Sequence, residues 1–273
     1  MKPLELEQLA DEVREGHEIL NTPVDPFQIA AAEQIKLLPG TYDDCFDGRI
    51  EYRKKRNRSG FYLFYAEASP GLRPMGRVRF SIAHELGHFY IPAHREYLLS
   101  GCWHGSRAGF VSEKLVERQA DQFAAALLMP RHAMNDFAKR HRGGCSLKNL
   151  ADLANDQFET SVLSTVIRYV QLDFEPCCAV LTENGRVRFS FTSESMRALK
   201  LGWVERGSDI PTGTVSKEAV ASQQRSAKGG VDSEIWFEGK PPRDLWEEIL
   251  VFGQSGYAVT FLVAEEDDFE EDD

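Results

Sequence analysis

Between residues 4 and 20, Leu4, Leu9, Val13, Ile19 and Leu20 fall roughly on one side of a helical wheel, with charges between them. That spacing predicts an amphipathic helix. Thr22-Pro23-Val24-Asp25-Pro26 breaks it and starts a second short helix through Gln34. Residues 35–38 predict a short strand. Residues 49–53 and 60–66 predict two more, joined by the basic tip Lys54-Lys55-Arg56-Asn57-Arg58-Ser59. A strong helical pattern runs from about 75 to 91 and stops at Pro92, whereas residues 92–111 lack periodicity, contain Gly101, Gly105 and Gly109, and read as loop. Further helices are predicted at about 112–128 and from Pro130 onward. After the break at Arg142-Gly143-Gly144, short helices at about 146–155 and 161–172 have the size of a helix-turn-helix unit. The character changes near 173–176. Two β-type runs, 177–181 and 186–191, flank Asn184-Gly185, the strongest short hairpin signal. A helix, a loop, a strand at 235–237, a helix at 243–252 and a strand at 257–263 complete an α+β module.

Charge separates a tail from a body. The formal net charge is −11, but residues 265–273 hold eight acids and no base, so the remainder balances at −3. Such a run repels itself and reads as a solubilising tail. A near-neutral body argues against a dedicated nucleic-acid binder. The basic tip, with Tyr52, Phe61 and Tyr62 nearby, has the composition of a single-strand-binding patch but reads first as a solvated hairpin tip. No secretory signal and no apolar run of ~18–20 residues is seen, so a cytoplasmic protein with no membrane partner is expected. The five cysteines are odd in number and form no Cys-x-x-Cys pair, which fits a reducing compartment. Cys177-Cys178 reads as core packing.

The chemistry lies in His84-Glu85-Leu86-Gly87-His88. Residues four apart share one helix face, so two imidazoles there can grip one zinc ion. Glu85 is rotated off that face, near enough to take a proton from water at the metal. Phe80, Ile82, Ala83, Leu86 and Phe89 make the surroundings apolar, and buried histidines and a carboxylate need partners or a metal. Two residues compete as third ligand. His94 gives a metzincin-type spacing, although Ile91 stands where that turn needs glycine. Glu117, on the next helix, would complete a His2Glu site. Asp121, one turn later, could orient a ligand histidine through its free ring nitrogen. Cys102, in the glycine-bearing loop, is either a small hydrophobic residue or a thiolate that caps the zinc and keeps the enzyme latent. His104 and Tyr90 are candidates to polarise a scissile carbonyl.

The two segments Arg79-Phe80-Ser81-Ile82-Ala83-His84-Glu85-Leu86-Gly87-His88 and Glu117-xx-Ala120-Asp121-x-Phe123-Ala124-Ala125-x-Leu127-Leu128-Met129-Pro130 closely resemble the ImmA/IrrE family of metallopeptidases. The resemblance spans roughly residues 5 to 172. It implies His84, His88 and Glu117 as metal ligands and Glu85 as general base. It also implies cleavage of a helix-turn-helix (XRE-like) repressor that releases stress or DNA-damage genes. The chain is similar as well to the CapP-like peptidases paired with a repressor in CBASS antiphage operons. The expected fold is α+β, in four parts. A helical zincin-like metallopeptidase domain with a small β-sheet occupies 1–130, a helix-turn-helix-like extension 131–174, a GAF/PAS-like sensor domain 175–264 and a disordered acidic tail 265–273. Single-stranded DNA or another ligand is the expected class of activator. The rival reading is a DNA-binding regulator that uses residues 146–172 and keeps the zinc for structure.

Overall fold

A computed structural model describes residues 1–42, 46–54, 59–69, 73–101, 103–106, 115–141, 144–239 and 243–264, with 103–106 as backbone only. The chain is mixed α+β and divides into two compact units. The first comprises Met1–Phe137 with Asp152–Thr165, and the second Ala138–Ala151 with the chain from Val166 on. Residues 131–174 are thus shared between the units.

The first unit begins with α1 (Pro3–Gly16) and α2 (Pro26–Ala32), then β1 (Lys36–Gly40), β2 (Gly48–Arg53) and β3 (Gly60–Ala66). Next come α3 (Met75–Tyr90), α4 (Pro92–Leu99), β4 (Trp103–Ser106), α5 (Leu115–Leu128) and α6 (Arg131–Arg140). The four strands form a sheet in the order β1-β3-β2-β4, with β1 parallel to β3 and the other pairs antiparallel. α3 packs against β2 and β3 on one side and α5 on another. Its burial is therefore nearly continuous from Ser81 to Phe89. Ile50, Leu63, Ile82, Leu86, Phe89 and Phe123 make the core of this layer. Burial of each such side chain contributes about 1.5–3 kcal/mol. The buried Arg79 donates to the Val24 carbonyl at 2.6 Å and pairs with Glu159 at 3.2 Å. Gly76 leaves room for the backbone of Thr160, which a Cβ would meet at 2.8 Å. These contacts place the turn around Glu159 with α3.

α7 (Leu147–Asp152) continues into a π-helical turn (Leu153–Phe158), and α8 (Val162–Leu172) follows. The second unit then adds β5 (Cys177–Glu183), β6 (Arg186–Thr192), α9 (Glu194–Ala198), α10 (Val215–Ser222), β7 (Ser226–Asp232), α11 (Ser233–Trp236), β8 (Asp244–Val251) and β9 (Tyr257–Ala264). Its five strands form an all-antiparallel sheet in the order β6-β5-β9-β8-β7. Asn184 and Gly185 both have positive φ, 50° and 77°, as a tight hairpin turn between β5 and β6 requires. Cys145, Cys177 and Cys178 are buried free thiols, and burial pushes Cys178 up to about 12. Such thiols are inert core residues.

Three expectations fail. Residues 92–111 are not loop, because α4 and β4 lie there. Pro92, read as a stop, also occupies the first position of α4, where its fixed φ and missing N–H suit a helix start. Residues 243–252 form β8 rather than a helix, and residues 233–236 form the short helix α11 where a strand at 235–237 was expected. In β8 the pair Glu247-Glu248 mimics a solvated helix face. Instead, Glu247 accepts from the Ser216 amide of α10 at 3.1 Å, and Glu248 from the Leu147 amide of α7 at 2.8 Å. Both are buried acceptors for helix N-termini. Among the described residues, no helix is long and apolar enough to cross a membrane.

Candidate metal centre

Three side chains converge where α3 and α5 cross. His84 and His88 lie one turn apart on α3, and Glu117 sits in the first turn of α5, where the helix N-terminus favours an acid. Gly87 lets the two helices approach: a Cβ there would meet Ala120 Cα at 3.1 Å and its carbonyl oxygen at 3.2 Å. That backbone contact brings Glu117 within reach of both imidazoles.

His84 Nε2 stands 3.1 Å from His88 Nε2 and 3.3 Å from Glu117 Oε2, and His88 Nε2 stands 3.8 Å from Glu117 Oε1. Donors ~2.0–2.1 Å from a tetrahedral ion stand roughly 3.3 Å apart. The spacing therefore suits a metal ion. Among the described residues, His84, His88 and Glu117 are the group of acids, thiols and imidazoles with this property, all three donors lying within 4.8 Å of one another.

Protonation points the same way. His84 Nδ1 meets Asp121 Oδ1 at 2.8 Å. The carboxylate accepts, so Nδ1 donates, and Nε2 is the nitrogen that would face an ion once its own proton is displaced. Burial alone disfavours charge on this ring. Asp121 and Glu117 accepting from it, with Glu85 nearby, outweigh burial and push the His84 pKa up to about 10. The pocket attracts positive charge, and its donor set can hold a metal ion.

Glu85, fully buried, takes a separate direction: its Oε2 accepts from the Ile50 amide of β2 at 2.9 Å. The sequence carries no signal for that partner, because a backbone amide has no residue signature. His94 is not brought to the donor group. Its Nε2 meets Gln119 Oε1 at 3.1 Å, and Gln119 in turn donates to the Met1 carbonyl at 2.8 Å. The His94 ring packs against His88 with centroids 5.1 Å apart. Tyr90 is also directed elsewhere: its hydroxyl donates to Glu33 at 2.9 Å and lies 2.9 Å from His17 Nε2. β4 pairs His104 with Ile50 along the strand, and its side chain lies outside the described part of the structure. Cys102 and residues 265–273 lie outside the described residues.

Residues 72–160, about a third of the chain, match a peptidase family model described as the IrrE N-terminal-like domain. The matched segment contains His84, Glu85, His88, Glu117 and Asp121, and it supports the ImmA/IrrE metallopeptidase resemblance. No curated protein matches the chain.

Proposed function

We propose that the first unit is a zinc-dependent endopeptidase that cleaves a partner helix-turn-helix repressor and so switches on stress, DNA-damage or antiphage-defence genes. The observation that carries this reading is the convergence of His84 Nε2, His88 Nε2 and a Glu117 oxygen within 4.8 Å, with the buried Glu85 next to His84 on the same helix. His84, His88 and Glu117 would hold the ion. When bound, zinc supplies a Lewis acid that lowers the pKa of water to about 7 and polarises a carbonyl.

The chain's own residues do the remainder. Asp121 holds His84 in one tautomer. Glu85 takes the proton from the attacking water and gives it to the leaving amine. A structural metal site has no need of such a base. The second unit we read as a GAF/PAS-like sensor that gates the peptidase, and the protein as cytoplasmic. The helix-turn-helix-like stretch finds less support as a DNA reader: in α8 only Gln171 is exposed, and a reading helix needs an exposed polar face.

The test incubates the purified chain, loaded with zinc, with the purified helix-turn-helix repressor encoded beside it, with and without single-stranded DNA. Wild type should cut the repressor at one site. Glu85→Gln should keep its zinc and cut nothing. Full gene regulation by the Glu85→Gln protein would instead favour a DNA-binding regulator with a structural metal.

A further inference from the structure

We propose that Gly48 is a positioning residue for the base: its lack of a side chain lets Glu85 lie against β2, where the Ile50 amide fixes the carboxylate. This inference rests on the peptidase reading above and assigns a role in it to a strand outside the two metal-bearing helices.

Steric contact is the first observation. Gly48 is buried in β2, and a Cβ built on it would stand 3.0 Å from both Cγ and Oε1 of Glu85, and 3.3 Å from the Ser81 carbonyl oxygen. Carbon atoms in contact prefer about 3.5–4.0 Å. Backbone conformation does not explain the glycine, since Gly48 is not among the positive-φ positions of the chain. Gly60, at the end of the neighbouring strand β3, has nothing within 4 Å of its built Cβ. Space for Glu85 is thus particular to position 48.

The second observation is the hydrogen bond that this space permits. Glu85 Oε2 accepts from the Ile50 amide at 2.9 Å, two residues along the same strand. A bond from a backbone amide to a carboxylate is charge-assisted and fixes direction as well as distance. β2 therefore offers the base a notch and an anchor side by side. The atoms closest to a new methyl are Cγ and Oε1 of Glu85, a side chain that must give by a few tenths of an ångström, whereas the Ser81 main-chain oxygen stands farther off at 3.3 Å. An alanine at 48 should consequently leave the fold and the three metal donors in place and shift the carboxylate off the amide. A displacement of about 1 Å at a reacting group can cost about a hundredfold in rate.

The full-length protein tests this in two ways. With zinc bound and the repressor as substrate, Gly48→Ala should lower kcat about 10- to 100-fold, with KM and zinc content near wild type. Gly60→Ala should match wild type. Independently of any activity, the Ile50 amide resonance in isotope-labelled protein should move in Gly48→Ala as it does in Glu85→Ala, and stay in place in Gly60→Ala. An unmoved Ile50 resonance, or an undiminished kcat, overturns the proposal. Should wild type cut nothing, the peptidase reading fails while the resonance still decides where Gly48 places Glu85. Should Gly48→Ala fail to fold, the double variant with Glu85→Ala decides. Recovery of folding shows the same contact, and failure of both assigns Gly48 to the strand alone and overturns the proposal.

Discussion

Asp121 touches no metal donor atom of its own accord, yet the protonation of the site depends on it. By accepting from His84 Nδ1 at 2.8 Å it keeps a hydrogen on that nitrogen and leaves Nε2 as the one that would face an ion. Asp121→Ala should weaken metal binding about 10- to 100-fold. Asp121→Asn keeps an acceptor oxygen and should lose less. Competition with a chromophoric chelator measures both, and an unchanged affinity in Asp121→Ala would remove Asp121 from the site. At this scale the sequence is legible where geometry is local. His84, Glu85 and His88 are placed by helix periodicity alone. Glu117 could be only one of two candidates, because its role depends on how two helices cross. His94 lies outside the group of three converging donors and meets Gln119 instead, a tertiary contact that its spacing does not announce. The Ile50 amide and the diversion of Tyr90 to Glu33 have no trace in the residue pattern.

Helices α3 and α5 must meet backbone to backbone for the donors to converge, and Gly87 sets that distance. Here the obstructing atoms belong to the Ala120 main chain, at 3.1 and 3.2 Å from a built Cβ, and cannot rotate aside. Gly87→Ala should therefore force α5 outward. Overpacking of this kind costs about 1–3 kcal/mol, and each kcal/mol lowers the melting temperature by about 2–4 °C in a chain of this size. Metal affinity should fall at least about tenfold as Glu117 withdraws, since each tenfold loss corresponds to only about 1.4 kcal/mol. Gly16→Ala, in open space at the end of α1, is the control and should be neutral or stabilising. If Gly87→Ala binds metal like wild type, the close approach is not what seats Glu117. Elements with a strong single periodicity, such as α3 and α5, were legible in the sequence. β8 was not, because Glu247 and Glu248 accept from the amides of two helices distant in sequence, and α4 was not, because Pro92 starts a helix as readily as it ends one.

At the scale of the whole chain, the donors His84, His88 and Glu117 all belong to the first unit, and none belongs to the second. An ion bound there should stabilise the native first unit by mass action, by about 2.7 kcal/mol when free metal is a hundred times its dissociation constant. That corresponds to a rise of roughly 5–10 °C in the transition of the unit that binds it. The benefit should be local in hydrogen exchange. Amides of α3 and α5 should exchange more slowly with zinc than after chelation, because their separation costs the ion its ligands. Amides of β5 and β9, paired within the five-stranded sheet of the second unit, should exchange at the same rate in both states. Protection confined to the second unit, or none anywhere, would show that the ion is not held between α3 and α5. Protection of both units would show something different: occupancy of the metal centre is felt by the sheet proposed to sense the signal, and by reciprocity a signal bound there would alter the affinity for metal.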